Sequence, residues 1–520
     1  MSLSNNPARL VVAGVASGVG KTTIATGLMA ALAAQGLRVQ GYKVGPDYID
    51  PTYHRAATGR ASYNLDTWLS SPALVRQRFE AGMRNADVAI IEGVMGLFDG
   101  RRQTLGIAST AEVARLLNAP VLLVLDASHM GQSAAAIVHG FQHIDPHINI
   151  AGVIVNKVAS AEHEATVRLA IAEWTGVPVL GVLQRDTSLT LPARHLGLIP
   201  VAETGVEVQA LGAALKRSVD LDGILSLARA AGSLPALPAD VSQEEAGVAV
   251  PGAIMNFNDQ NPYCHAERSE ASLCPSRETL RCAQGDNTLP ILIVKIHNRA
   301  PTSSCNISSV RMGLALDNAF SFYYPETLEV CEKMGVEITP FSPLTDRELP
   351  NGLDLLYFGG GFPEVFAAQL ADNHPMLVSV RSAVQRGTLT YAECGGYMYL
   401  GKQCVDAQGV SYDLVGVLPY TFQMGTERAQ LGYRELTTLR ETIIGPAGMR
   451  LRGHEFHWSH IVEPLLEEHV PYQIEEAGKA KEGYATETVL ASYVHIPLAA
   501  NPQAMVELIR RCGWHQGNRI

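Results

Sequence analysis

The sequence predicts an α/β fold in which two parallel-sheet domains follow one another along a single chain. The chain has 520 residues, which is too many for one domain at a typical size of about 150 residues. Short apolar runs alternate with amphipathic stretches over the first part of the chain, and a second such alternation begins near Met312. This alternation is typical of strand–helix units on a parallel sheet. Hydrophobic residues make up 47% of the chain and charged residues 18%, so each domain can bury a sizeable core.

The first domain is predicted from six nearly continuous apolar runs, as expected for strands that helices cover on both faces of a sheet. These runs are residues 9–13, 39–43, 88–91, 121–126, 151–156 and 179–183. The clearest helix covers residues 22–35, which are rich in Ala, Leu and Met, and Gly36 follows where a helix-ending glycine is expected.

A change of composition separates the two domains. Residues 234–251 are rich in Ala, Pro, Gly and acids, which is typical of a linker. Residues 261–287 are polar and lack a sustained period, so we interpret them as an inserted, disordered, repeat-like segment. The alternative is a zinc site, but the cysteines of this region lack the close pairs of a closed tetrahedral site. They are Cys264, Cys274, Cys282 and Cys305. The predicted boundaries are 1–233, 234–311 and 312–520.

The second domain is predicted from a further series of short apolar runs. Predicted strands cover residues 313–315, 336–341, 353–358, 389–392 and 489–494, and a predicted helix covers residues 322–334.

A glycine-rich turn at residues 14–23 follows the first strand and opens the first helix. Its glycines let backbone N–H groups turn towards phosphate oxygens, Lys21 can reach the terminal phosphates, and the Thr22 hydroxyl can join a Mg²⁺ shell. Gly14 stands one residue earlier than the strict motif places it. The turn therefore predicts a nucleotide site formed by Gly18, Gly20, Lys21, Thr22 and Thr23.

Polar residues at other strand ends complete this predicted site. Glu92 ends an apolar strand and Asp47 follows the second strand, so both carboxylates are candidates for Mg²⁺ beside Thr22, and otherwise are solvated loop acids. Asn156 and Lys157 end a later strand, where either an adenine contact or a plain turn fits the sequence.

Cys394 is the candidate nucleophile of the second domain. It lies between an apolar strand and a pair of glycines, where a sharp turn exposes a thiol and a helix N-terminus lowers its pKa. A buried, inert cysteine is the alternative. Backbone N–H groups near Gly360 and Gly395 would stabilise an oxyanion. His495 is the leading candidate base, with His454 and His457 as competitors.

Charge and composition also limit the kinds of partner that we expect this protein to bind. A formal net charge of -11 excludes a nucleic-acid binder driven by phosphate neutralisation. No apolar run approaches the ~18 residues of a membrane span, and the 8 cysteines are too few for a disulfide scaffold. We therefore expect a cytoplasmic protein that binds neither nucleic acid nor membrane.

The chain resembles the family of cobyrinic acid a,c-diamide synthases, the glutamine-dependent amidotransferases of corrin biosynthesis. The resemblance covers nearly everything except about residues 258–311. It rests on VAGVASGVGKTT (12–23), YKVGPDYIDP (42–51), EGVMGLFDG (92–100), PARHLGLIP (192–200), FGGGFPE (358–364) and YAECGGYMYL (391–400).

The resemblance implies a P-loop domain like dethiobiotin synthetase and a flavodoxin-like domain like class I glutamine amidotransferases. Thr22, Asp47 and Glu92 occupy motif positions that bind Mg²⁺ in that relative of the first domain. Class I glutaminases carry a glutamate two residues after the histidine, where this chain has Pro497.

The implied enzyme is a carbon–nitrogen ligase that uses ATP and L-glutamine to amidate the c and then the a side chain of cobyrinate through acyl phosphates. Hydrogenobyrinate and nickel sirohydrochlorin are alternative tetrapyrroles. A remoter alternative is an ATPase switch that positions plasmids or division sites, but such proteins carry a lysine where this chain has Ala16. Arg434, His454 and His457 are candidate contacts of a carboxylate-rich substrate, and a homodimer is left open.

Overall fold

The computed structural model of the protein describes residues 6–185, 191, 193–194, 197–198, 207–236, 310–425, 430–476 and 478–517. Most of the predicted linker, the predicted insertion with its zinc alternative, and most of the 192–200 motif lie outside these residues. Within the described part of the chain, no helix combines the length and apolar character that crossing a bilayer requires.

Seven parallel strands form the N-terminal sheet. They are β1 (Arg9–Gly14), β2 (Val39–Val44), β3 (Tyr63–Leu65), β4 (Val88–Glu92), β5 (Val121–Asp126), β6 (Ile150–Val158) and β7 (Val179–Gln184). Their order across the sheet is β3-β2-β4-β1-β5-β6-β7. The six predicted strands are confirmed, whereas the three-residue edge strand β3 was missed because so short a run carries no period.

Helices cover both faces of this sheet, as its apolar strands predict. They are α1 (Lys21–Ala34), α2 (Asp50–Thr58), α3 (Pro72–Gly82), α4 (Thr110–Leu116), α5 (Ala134–His143), α6 (Ala161–Thr175), α7 (Val208–Ser218) and α8 (Leu221–Arg229), with a small ribbon of β8 (Ala193–Arg194) and β9 (Gly197–Leu198). Alternate residues of β1 enter two separate buried clusters, Val11 in one and Val12 in the other. Gly36 has a φ of 86° and follows α1, which confirms the predicted helix end.

The C-terminal half contains a second sheet and two smaller ones. Its strands are β10 (Arg311–Ala315), β11 (Phe320–Phe322), β12 (Glu337–Phe341), β13 (Leu355–Phe358), β14 (Gly360–Gly361), β15 (Leu389–Glu393), β16 (Gln403–Val405), β17 (Ser411–Asp413), β18 (Thr421–Met424), β19 (Gln430–Thr438), β20 (Arg450–His457), β21 (Ser459–Ile461), β22 (Tyr472–Ile474), β23 (Lys481–Glu482), β24 (Tyr484–Ala485) and β25 (Val489–Ser492). Its helices are α9 (Pro325–Lys333), α10 (Ala367–Asp372), α11 (His374–Gln385), α12 (Gly395–Leu400) and α13 (Pro502–Gly517), with short 3₁₀ turns at Glu467–His469 and Leu498–Ala500.

The larger C-terminal sheet has the order β12-β10-β13-β15-β25-β24, and only β24 runs antiparallel to its neighbour. Its central strands β15 and β25 are neighbours, so the loops that follow them open at one edge. A separate ribbon pairs β11 with β14. The smaller sheets have the orders β17-β16-β18-β21 and β20-β19-β22-β23.

The predicted helix at 322–334 begins too early. Phe322 belongs to β11, and Tyr324 is extended with a ψ of 115°, so the helix begins at Pro325. The reason is steric, because the proline ring disfavours the helical conformation of the residue before it.

The two halves meet around the buried indole of Trp68. The Tyr433 ring lies 4.8 Å from this indole, and the guanidinium groups of Arg101 and Arg452 lie 5.0 and 5.2 Å from its centre. The Tyr433 hydroxyl also donates to Asp66 at 2.8 Å. Aromatic and cation–π contacts of this kind fix the N-terminal half against the C-terminal half.

Candidate active site

The predicted phosphate cradle is the loop that joins β1 to α1. Gly18 and Gly20 have φ angles of 75° and 98°, a region that other residues rarely adopt. A Cβ at Gly20 would also lie 2.4 Å from the Asn156 amide nitrogen, so a larger residue would have to displace that side chain as well. Thr22 and Thr23 lie in the first turn of α1, where the backbone N–H groups have no helical partners.

Lys21 lies over this loop. Its ammonium donates to the Ala16 carbonyl at 3.1 Å. Burial and the nearby Lys43 lower the pKa of Lys21 to about 8, so the side chain is still mainly charged at neutral pH. A lysine held against the cradle in this way is available to phosphate oxygens.

Asn156 and Lys157 brace the cradle from β6. The Asn156 amide donates to the Val19 carbonyl at 2.9 Å, and the Lys157 ammonium donates to Asp126 at 2.6 Å and to the Gly18 carbonyl at 3.3 Å. Their contacts in this structure are therefore with the loop itself; contact with adenine stays a prediction.

A buried carboxylate, Glu92, is the centre of the N-terminal site. It accepts from the Thr22 hydroxyl at 2.6 Å, from the Lys43 ammonium at 3.0 Å, and lies 2.7 Å from His54 Nε2. Burial alone would raise the pKa of Glu92, but Lys43, His54 and Thr22 hold it well below its usual range. Glu92 is thus a paired anion in the protein interior.

Sequence reasoning missed three members of this site, namely Lys43, Asp50 and His54. Burial disfavours the charge of Lys43, yet Asp50, Glu92 and Asp47 raise the pKa of its ammonium above the usual value. The available signal was a lysine within a strand predicted to be covered on both faces, since a buried lysine needs carboxylate partners.

The two aspartates of the GPDYIDP motif have different surroundings. Asp47 accepts from the backbone N–H groups of Ile49 and Asp50 at 2.9 and 3.0 Å, and so folds the turn that starts α2. Asp50 lies 2.6 Å from the Lys43 ammonium and accepts from the Thr22 hydroxyl at 3.3 Å. The structure therefore brings Asp50 against Thr22, while Asp47 stands at the rim of the site.

The oxygen atoms of Thr22, Glu92 and Asp50 fit a hard divalent cation. Mg²⁺ prefers one or two carboxylates together with phosphate oxygens and water, and these residues offer such a set beside the cradle. In this structure, the Lys43 ammonium forms ion pairs with the carboxylates of Asp50 and Glu92.

The second site lies at the end of β15. Cys394 has a φ of 48° and a ψ of -102°, a strained conformation that turns the chain sharply from strand to helix. Its Sγ lies 3.9 Å from the Phe456 carbonyl oxygen. A Cβ at Gly395 would lie 3.0 Å from the Gly361 nitrogen, so the cysteine turn packs tightly against β14.

The expected lowering of the thiol pKa is wrong for this structure. Burial and the charge of Glu364 raise the pKa of Cys394 above its usual value, and a backbone hydrogen bond from Gly395 only partly offsets them. The short helix α12 cannot overcome desolvation, because an N-terminal helix charge is small beside the cost of burying a thiolate.

His495 lies in the loop after β25, at the same sheet edge as Cys394. The imidazole is buried, and a Cβ at Gly360 would lie 2.4 Å from its Cε1 atom. Tyr48 of the N-terminal half packs against His495, with 5.0 Å between ring centres. Cys394, His495, Gly360 and Gly395 are thereby brought to one place.

The competing histidines lie on β20. His454 exchanges two backbone hydrogen bonds with His495, and burial, together with His495, lowers the pKa of His454 to about 3. His457 stacks on Tyr493 with 3.7 Å between ring centres. Glu455 pairs with Arg434 at 2.6 Å and with His457 at 2.8 Å. These two candidate substrate contacts therefore share one carboxylate partner.

Comparison with known proteins separates the chain into two matched regions. Residues 10–199 match the CobQ/CobB/MinD/ParA nucleotide binding domain, and residues 311–503 match the CobB/CobQ-like glutamine amidotransferase domain. A solved structure described as a glutamine amidotransferase matches 39% of this chain and 98% of its own, at 20% identity and a TM-score of 0.30.

Full-length relatives match both regions together. The hydrogenobyrinate a,c-diamide synthase of Streptomyces coelicolor is 41% identical over 508 residues, which is 97% of each chain. The cobyrinate a,c-diamide synthase of Dehalococcoides mccartyi strain CBDB1 is 38% identical over 96% of this chain and 97% of its own. That of Priestia megaterium is 36% identical over 97% of each chain.

The raised pKa predicts that Cys394 reacts slowly with iodoacetamide at pH 8, because the thiolate is the reactive form. Pulse labelling of the folded protein and mass spectrometry would follow its peptide, with buried Cys331 as the internal reference. Glu364→Gln should speed alkylation of Cys394 and leave Cys331 unchanged. Alkylation of Cys394 as fast as that of a free thiol would show that its pKa is not raised.

Proposed function

The chain belongs to the family of cobyrinate and hydrogenobyrinate a,c-diamide synthases, and we propose on this premise that it amidates the a and c carboxylates of a cobyrinate-type ring. It is a ligase of cobalamin biosynthesis that combines a nucleotide-binding domain with a glutamine amidotransferase domain. ATP activates each carboxylate and glutamine supplies the nitrogen. The observation that carries this proposal is the presence of a phosphate cradle and a cysteine–histidine site in one chain.

The N-terminal site performs the activation. The cradle binds ATP, and the Lys21 ammonium spreads the charge that develops as the γ-phosphoryl group passes to a substrate carboxylate. The resulting acyl phosphate has a good leaving group, which a free carboxylate lacks. Mg²⁺ would be held by Thr22, Glu92 and Asp50, with Asp47 as the alternative from sequence, and it would neutralise negative charge on the phosphates.

The C-terminal site releases the nitrogen. The Cys394 sulfur attacks the carboxamide carbon of glutamine, and His495 takes the thiol proton and returns it to the departing ammonia. Backbone N–H groups near Gly360 and Gly395 stabilise the oxyanion. Water then releases glutamate from the thioester, and ammonia displaces phosphate from the acyl phosphate of the other site.

The raised thiol pKa is compatible with this scheme. A protonated resting thiol gives up its proton during attack, so His495 acts as a general base and no preformed thiolate is needed. Deprotonation is thereby tied to the presence of glutamine in the site.

Cobyrinate is the ring we propose, and hydrogenobyrinate is the close alternative because relatives named for each match nearly the whole chain. Nickel sirohydrochlorin stays a third candidate from the sequence.

The amidotransferase half gives no support to the alternative of an ATPase switch. The described cysteines are free thiols, which supports a reducing compartment such as the cytoplasm.

Separate assays with cobyrinate, hydrogenobyrinate and nickel sirohydrochlorin test the proposal directly. With ATP, Mg²⁺ and glutamine, mass spectrometry should show two amides added to cobyrinate. Two amides added only to hydrogenobyrinate would move the assignment to the cobalt-free ring. Glutamine cleavage without ATP consumption on any of the three rings would contradict the proposed function.

Two variants should separate the half-reactions. Cys394→Ser should abolish glutamine-dependent amidation yet keep amidation driven by high ammonium, because only the nitrogen source is lost. Lys21→Ala should lower amidation with either nitrogen source by about 100-fold or more, because a charged phosphate contact is removed. Loss of ammonium-driven activity in soluble, folded Cys394→Ser would contradict separate sites.

A matched pair of variants distinguishes the two aspartates. Asp50→Asn should lower ATP-dependent amidation by about 10- to 100-fold and raise the Mg²⁺ concentration needed for half-maximal rate, because a charged ligand is lost. Asp47→Asn should change either value by less than about 3-fold, because an asparagine oxygen can accept the same two backbone N–H groups in this turn. The reverse order of effects would make Asp47 the ligand.

A further inference from the structure

The base His495 lacks the usual partner two residues later, where the chain has Pro497. The structure shows a different carboxylate near the ring. Glu393 Oε2 lies 3.6 Å from His495 Nδ1, and both side chains are almost completely buried. Among the described residues, Nδ1 has no hydrogen-bond partner at all. This separation is slightly beyond a hydrogen bond, which is common for catalytic contacts without a bound substrate.

The Glu393 carboxylate is held in place by the protein. Its Oε1 atom accepts from the Tyr391 hydroxyl at 2.7 Å and from the Ile496 backbone N–H at 3.0 Å. Its Oε2 atom accepts from the Tyr357 hydroxyl at 3.3 Å. Three neutral donors satisfy this buried carboxylate, and Oε2 is the oxygen that lies 3.6 Å from the imidazole Nδ1.

The two nitrogens of the imidazole have different neighbours. Nδ1 is the nitrogen nearest Glu393. Nε2 lies close to Gly360, 3.2 Å from the point that a Cβ on this glycine would occupy. A base must present one nitrogen to the thiol and keep its proton on the other. The arrangement thus suits an Nδ1–H tautomer with Nε2 free to accept the Cys394 proton.

We propose that Glu393 is the positioning residue of His495 and replaces the glutamate that Pro497 excludes. Glu393 accepts a hydrogen bond from Nδ1–H, holds the ring with Nε2 towards Cys394, and stabilises the imidazolium formed when Nε2 takes the thiol proton. The proton then passes from Nε2 to the departing ammonia, and Glu393 remains ionised throughout. This inference rests on the proposed glutaminase function.

The fold explains why this residue can take the role. Glu393 is the last residue of β15 and pairs in register with Ser492 of the parallel strand β25. His495 follows only three residues after Ser492, and Cys394 directly follows Glu393. One strand end therefore delivers both the nucleophile and the carboxylate, and its neighbour delivers the base.

The test compares Glu393→Gln with wild type in glutamine hydrolysis. The variant should lose about 10²- to 10⁴-fold in kcat, as for loss of the orienting carboxylate in a serine protease, with a KM for glutamine within about 3-fold. Ammonium-driven amidation should stay within about 2-fold of wild type, which shows that the fold and the other site are intact. Nitrogen-15 NMR of His495 should report Nδ1–H in wild type and a mixture of tautomers in the variant.

Two further variants keep the test decisive. Glu482→Gln replaces another buried glutamate of the same half, which binds the Tyr493 backbone N–H, and should leave the His495 tautomer unchanged. Tyr391→Phe removes one donor to Glu393 and should lower kcat for glutamine by about 3- to 10-fold, in line with one lost hydrogen bond to a charge. If Glu393→Gln does not fold, Tyr391→Phe decides alone.

The outcomes separate this proposal from the proposed function. A wild-type protein that never hydrolyses glutamine would contradict the function itself. If the wild type is active and Glu393→Gln keeps its kcat, the role of Glu393 is overturned. If Glu393→Gln does not fold, an unchanged kcat of Tyr391→Phe overturns that role instead. Equal losses of glutamine-driven and ammonium-driven activity would also overturn it, since they indicate a structural role.

Discussion

A carboxylate buried at the end of a central parallel strand organises each half of this protein. Glu92 ends β4 and Glu393 ends β15, and both are almost inaccessible to water. Burying an unpaired carboxylate costs several kcal/mol, about 20 in the idealised limit, so each must be satisfied by its surroundings. At Glu92 one of these partners is the Thr22 hydroxyl, which the reaction needs, and the Glu393 carboxylate lies 3.6 Å from the candidate base His495. Each proposed reaction is thus located where the fold must stabilise a buried carboxylate.

The two buried carboxylates are satisfied in different ways. The Lys43 ammonium pairs directly with Glu92, so that site contains opposite charges that phosphate and a divalent cation can rearrange. Glu393 is surrounded by neutral donors, so its charge stays available to an imidazolium. The first arrangement suits binding of highly charged ligands, and the second suits a proton that moves between neighbouring atoms.

The sequence predicted most of the fold because parallel strands buried on both faces must be apolar along their length. The cradle was predictable because its glycines occupy positions, such as Gly20, where the backbone has a positive φ. Lys43, His54 and Asp50 were missed because their roles arise from residues distant in sequence meeting at one sheet edge. The thiol pKa of Cys394 was predicted in the wrong direction because local sequence indicates a helix start but not the depth of burial.

Tyr48 makes a direct contact between the loop of the N-terminal site and the base of the second site. It lies between Asp47 and Asp50 in sequence, yet its ring is 5.0 Å from His495 and stacks on Phe322 at 5.2 Å. Phe322 in turn belongs to the apolar cluster that covers one face of the N-terminal sheet. Burial among such rings disfavours ammonium far more than neutral ammonia, because a charge loses more on leaving water. The aromatic contact therefore suits the proposed reaction, in which neutral ammonia is the form that attacks the acyl phosphate.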